Sequence, residues 1–106
     1  MQMPLNQKTK ALINSFALAE LEPTLNQFKG SNDEKRTLID LILSDRNQRR
    51  LHNRIIERCM VDHGYTRLRA IEELNSGNLD NWLGKLDWDE LLPFLLKLLQ
   101  LLILFL

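Results

Sequence analysis

Three side chains able to bind a metal or act as nucleophiles fall within one twenty-residue stretch, Asp45 to Gly64: His52, Cys59 and His63. Cys59 and His63 stand four residues apart, so on a helix both reach toward one point, half of a zinc site. His52 lies about 10 Å farther along the axis at roughly 1.5 Å per residue and does not join them. A site built on Cys59 and His63 would need ligands from elsewhere, and no nearby motif supplies them. The expectation is no metal and no cofactor, with the three residues serving core or groove packing.

The signatures of catalysis are missing as well. No Gly-rich phosphate loop, nucleophile motif or Ser, His and Asp set occurs in the sequence. Asp89 and Glu90 are adjacent and diverge on a helix, which suits them to a helix start rather than to acid–base chemistry. A non-enzymatic protein is expected.

The same Asp45–Gly64 stretch carries a second pattern. Arg46, Arg50, Arg54 and Arg58 recur every four residues, opposite a face formed by His52, Ile55, Ile56, Cys59 and His63, with Leu51 and Met60 at its edges. The ridge spans about 18 Å at roughly 1.5 Å per residue. Three readings of it stand: a solvated charged face, a contact for an acidic protein surface, or a nucleic-acid contact. The charge along the chain weighs against the last. From Arg46 to Arg69 seven arginines face two acids, net plus five, whereas from Glu72 to Glu90 six acids face Lys85, net minus five. An acidic half repels phosphate but complements the basic half, either within one bundle or between copies.

The elements that position these residues are helical. Glycine and proline punctuate the 106-residue chain, and no stretch alternates as a half-buried strand does. Helices are expected from Thr9 to Leu21, then a short turn over Glu22 to Phe28 set off by Pro23 and ended by Gly30. Ser31 and Glu34 fit a capping box for a central helix to about Ser44, rich in Leu38, Ile39, Leu41, Ile42 and Leu43. Asp45 caps a helix ended by Gly64, Thr66 caps one ended before Gly77, and Asn78 to Leu83 forms a short one with Trp82 inward, stopped by Gly84. Asp87 and Glu90 fit another capping box, with Leu86 and Leu91 as a hydrophobic staple, and Pro93 is expected to kink the helix that follows. The fold class is all-α: a compact bundle of five to six short helices, residues 1–86, with a long, very apolar C-terminal helix, residues 87–106.

That last segment, LLPFLLKLLQLLILFL, has thirteen Leu, Ile or Phe among sixteen residues. On a helical wheel Glu90, Pro93, Lys97 and Gln100 form a narrow stripe and apolar surface covers the rest. Leaving half of the large side chains in water would cost on the order of 10 to 20 kcal/mol, so a partner surface is expected. Sixteen residues reach only about 24 Å against roughly 30 Å of hydrocarbon, and Lys97 would sit near mid-bilayer, so a membrane span is disfavoured.

The sequence therefore predicts a helical assembly or adaptor protein that forms homo-oligomers, or docks on a larger assembly, through Leu91, Leu95, Leu98, Leu99, Leu102 and Phe105. The arginine ridge Arg46, Arg50, Arg54 and Arg58 is a second contact surface. The alternative is a membrane-active protein whose C-terminal helix inserts into or lies on lipid, and nucleic-acid binding through the ridge ranks third. One cysteine and an N-terminal stretch without signal-peptide character suit a cytoplasmic protein, free or associated with a membrane or large assembly.

Overall fold

The computed structural model describes residues 4–105, which form seven helices and no strands. They are α1 (Gln7–Asn26), α2 (Asn32–Ile42), α3 (Asp45–His63), α4 (Arg67–Ser76), α5 (Asp80–Lys85), α6 (Trp88–Leu91) and α7 (Pro93–Phe105). The molecule measures 42 × 26 × 18 Å, thin enough that every helix keeps a face toward solvent.

The hub is α1 rather than α2. Thr9, Ile13, Ala17, Leu21 and Leu25 recur every four residues and form one buried stripe. Helices α3, α4, α6 and α7 all contact α1. The expected central helix, α2, buries only Leu38 and Ile42 and leaves Leu41 43% exposed. Its run of aliphatic residues extends around the cylinder farther than its neighbours do.

Proline behaves differently at its two helical positions. Pro23 was expected to separate α1 from a short turn, yet α1 runs through it to Asn26. Pro23 and Ala19 are both exposed, so the Ala19 carbonyl that loses its helical donor faces water, while Leu21 and Leu25 hold the helix to the core on the other side. Pro93, expected to kink one long helix, instead divides it. Leu92 sits outside the helical region at φ −112°, ψ 16°, because the ring of the following proline disfavours α geometry. Pro93 then occupies the first turn of α7, where its missing N–H costs nothing. This division raises the helix count above the expected five or six and shortens the C-terminal helix to thirteen residues.

Several expected end signals are present, but Asp45 does not cap α3: it is the first helical residue, the cap position is Ser44, and no side-chain cap bond forms there. The Ser31 hydroxyl accepts from the Glu34 amide while the Glu34 carboxylate accepts from the Ser31 amide, a complete capping box. Thr66 caps α4 by accepting from the Arg69 amide. Gly64 and Gly77 close α3 and α4 in the left-handed region at φ 67° and 83°. The expected box at Asp87 does not form. The Glu90 amide donates to the Asp87 carbonyl at 3.1 Å, so in this single turn the backbone takes the donor the carboxylate would have used. Gly84, expected as a stop, lies inside α5.

The aromatic anchor of the C-terminal half is Trp88 rather than Trp82. Trp88 is buried, stacks on Phe16 at 5.5 Å, and donates from Nε1 to the Leu83 carbonyl at 3.0 Å. Trp82 is half-buried against the edge of His63 and donates from Nε1 to Asp62 Oδ2 at 3.1 Å. Helices α6 and α7 thus belong to the same bundle as the preceding residues, packed on α1, α2 and α3.

Candidate interaction surfaces

The C-terminal helix divides its side chains three ways. Leu95 and Leu99 are fully buried on the face that meets α1 and α2, while Leu91, buried too, lies before the break on α6, which packs on α1 and α3. Leu98 and Leu102 are half-buried at the edges of that face. The side chain of Phe105 lies outside the described residues. Lys97, Gln100, Leu101 and Leu104 form the solvent side. The expected polar stripe of Glu90, Pro93, Lys97 and Gln100 does face water, and on α7 it continues into two leucines, Leu101 at 54% and Leu104 at 79% exposure.

This arrangement reduces the unburied apolar surface far below what the sequence suggested. Three of the six residues assigned to a partner interface are occupied by the chain's own core. The exposed pair Leu101 and Leu104 escaped the sequence reading, although their spacing from Lys97 by four and seven residues puts them on its stripe. Covering the pair would contribute on the order of 3 kcal/mol per copy, a modest driving force. Other large exposed apolar side chains, Val61 on α3 and Leu68 on α4, belong to other elements.

The arginine ridge also meets its own chain. Arg50 and Arg54 hold their guanidinium groups over the Phe94 ring at 4.5 and 5.1 Å from its centroid. Arg54 also donates from Nη1 to the Leu91 carbonyl at 3.3 Å. Arg58 pairs with Asp62 at 3.2 Å and more distantly with Glu90 at 3.8 Å. Arg46 is exposed and has no ion-pair partner among the described residues. The ridge therefore clasps α6 and α7 to α3. The opposite charges noted in the sequence meet within one bundle at Arg58 and Glu90.

The residues with potential ligand chemistry separate. Cys59 is fully buried, and burial, with lesser contributions from Asp62 and Glu73, pushes its thiol up to about 11. It is therefore uncharged and unreactive at neutral pH. His63 is exposed, stacked on Tyr65 at 5.2 Å. His52 is buried and donates from Nε2 to Asn14 Oδ1 at 3.0 Å. The direction follows from the far end of a relay: the Gln48 amide donates to the Leu43 carbonyl, which can only accept, and Asn14 Nδ2 donates to Gln48 Oε1 at 3.3 Å. Burial first, and the charge of Lys10 second, lower the His52 pKa to about 4, so the ring is neutral at physiological pH. Elsewhere, a hydrogen bond that the protonated Glu20 carboxyl donates to Asp89 raises its pKa, with burial and the charges of Asp89 and Asp87 adding to it. Among the described residues no three His, Cys, Asp or Glu side chains are grouped to hold a metal ion, and no helix is long and apolar enough to cross a membrane.

Comparison with protein-family models, with curated proteins and with solved structures gives no significant match for this chain.

Proposed function

We propose that this chain is a non-enzymatic helical assembly or adaptor protein that associates with a second copy of itself through the solvent face of α7. The observation that carries the reading is the exposed pair Leu101 and Leu104, continuing the Lys97 and Gln100 stripe on a helix whose other faces are satisfied. A second copy is the occupant because the stripe is self-complementary. Antiparallel α7 helices place leucine against leucine at the centre and carry the two Lys97 ammonium groups to opposite ends, about 10 Å from Leu104 along each axis at roughly 1.5 Å per residue. The clasp of Arg50 and Arg54 on Phe94 supports this reading by fixing α7 on the bundle, which lowers the ordering cost of association. Arg46 is the member of the ridge left for an outside contact.

The small apolar area sets the strength expected. A few leucines per copy, offset by the cost of association, place the dissociation constant on the order of 100 μM. Light scattering over a concentration series in detergent-free buffer tests this. Reversible growth from monomer to dimer is the expected result. A protein that stays monomeric at every concentration yet floats with anionic vesicles would replace the second copy with a lipid surface.

A further inference from the structure

A cavity of about 310 Å³ lies where the start of α1, the middle of α3 and the start of α4 converge. Lys10, Arg49 and Arg67 line it, one cation from each helix, together with His52 and the apolar side chains of Ile56 and Ile71. No carboxylate is in the lining. Three other clefts set an acid beside each cation: Asp80 with Lys8, Glu34 with Lys29, and Glu22 with Lys35.

The three cations are not neutralised by carboxylates of the described residues. Among the described residues Lys10 and Arg49 have no ion-pair partner. Arg67 donates from Nη2 to Asn53 Oδ1 at 2.8 Å, a neutral acceptor that orients the guanidinium and leaves its charge in place. The wall carrying Lys10 is pinned to α4: the Asn6 amide donates to Asn75 Oδ1 at 2.9 Å, Asn75 Nδ2 donates to the Pro4 carbonyl at 3.1 Å, and the Thr9 hydroxyl donates to the Leu74 carbonyl at 3.3 Å. Three like charges around one cavity repel each other, and an anion placed among them converts that repulsion into attraction. Burial first, and the charge of Lys10 second, lower the His52 pKa, which places the Lys10 charge near the ring.

We propose that this cavity binds a small phosphate monoester, with the dianionic phosphate held by Lys10, Arg49 and Arg67 and the body of the ligand resting on Ile56 and Ile71. Three cations match a dianion better than a single carboxylate, and two guanidinium forks suit phosphate oxygens. The volume stands at the lower end of the range for small-molecule sites, roughly 300 to 1,000 Å³, so the ligand is a small one. This site is separate from the α7 surface and does not rest on the association reading.

The probe is phenyl phosphate, titrated into the wild-type protein at constant ionic strength and followed by backbone amide chemical shifts. The expected result is saturable shifts clustered on Lys10, Arg49, Asn53 and Arg67, with affinity about tenfold above that of inorganic phosphate. Lys10→Gln and Arg49→Gln should each weaken binding about tenfold, while Arg36→Gln on α2 leaves it within about twofold. Shifts that are scattered or fail to saturate would overturn the site. Equal affinity for phenyl phosphate and inorganic phosphate would overturn the ester assignment, and variants that fold and bind like wild type would remove Lys10 and Arg49 from the site and overturn the three-cation cradle. The wild-type shift map decides the matter even where a variant loses its fold.

Discussion

Arg54 Nη1 donates to the Leu91 carbonyl at 3.3 Å, taking the acceptor that the break before Pro93 releases. In an unbroken helix the Leu95 amide would fill that carbonyl, but here it donates to Leu92 instead, at 3.0 Å. A side chain from α3 thus completes the backbone hydrogen bonding where α6 ends, and the Phe94 ring beneath the same guanidinium adds a cation–π contact.

Arg54→Ala should therefore destabilise the fold by about 2 kcal/mol, combining a charge-assisted hydrogen bond with a partly exposed cation–π contact. Arg54→Lys should recover only part, since an ammonium does not span both contacts as the planar guanidinium does. Arg46→Ala, one turn before Arg50 and outside the clasp, should fall within about 0.5 kcal/mol of wild type. Urea unfolding of the three variants checks the ordering, and equal losses at positions 46 and 54 would count against an internal clasp.

Two glycines should respond oppositely to alanine. Gly64→Ala places a side chain at φ 67° with nothing around it to compensate, a backbone cost of about 1 kcal/mol. Gly84→Ala lies inside α5, where its new methyl meets Phe16 Cζ at 3.7 Å, an ordinary contact. Helix propensity then stabilises the protein by about 0.5 to 1 kcal/mol. Thermal melts should move in opposite directions.

The contrast at these glycines illustrates how much of the fold was legible. Several signals that act within one turn read correctly, namely the Ser31 and Glu34 box, the Thr66 cap, and the glycines that end α3 and α4, whereas the Asp45 cap and the Asp87 and Glu90 box, equally local, do not form. Signals that depend on neighbours did not. Gly84 and Pro23 look like breaks in isolation, yet α5 runs one residue past Gly84, and α1 continues through Pro23 with Leu21 and Leu25 buried on its other side. The arginine ridge was visible as a periodic pattern, but its partner was not, because Phe94 lies forty residues from Arg54 in the chain. The apolar C-terminal run looked too large for one bundle because the wheel counts every leucine equally, whereas α1 and α2 cover one side of it completely.

Stability should fall on mild acidification because of His52. Its folded pKa, about 4, is depressed from the ordinary value of 6.5, so between those values the unfolded chain binds a proton the native ring refuses. The neutral ring's contribution is complete above pH about 6.5 and is lost progressively toward pH 4, on the order of 2 kcal/mol after a discount for solvent screening at the cavity wall. Glu20, raised in the fold, works in the opposite sense as pH falls. The difference between wild type and His52→Gln isolates the histidine: the two unfolding curves should converge as pH drops from 7 to 4.5, and a constant gap would assign no such linkage to His52.

The association through α7 is most directly tested by sedimentation equilibrium of the wild type against Leu101→Asp combined with Leu104→Asp. Both leucines are exposed, so charge there spares the core, whereas Leu98 and Leu102 are half-buried and would confound folding with assembly. The double variant should melt within a few degrees of wild type and dissociate at least about tenfold more readily, because two aspartates replace the apolar centre of the contact with like charges. A wild type that is monomeric throughout, or a double variant that associates as tightly as the wild type, would contradict the assignment of this face to a second copy.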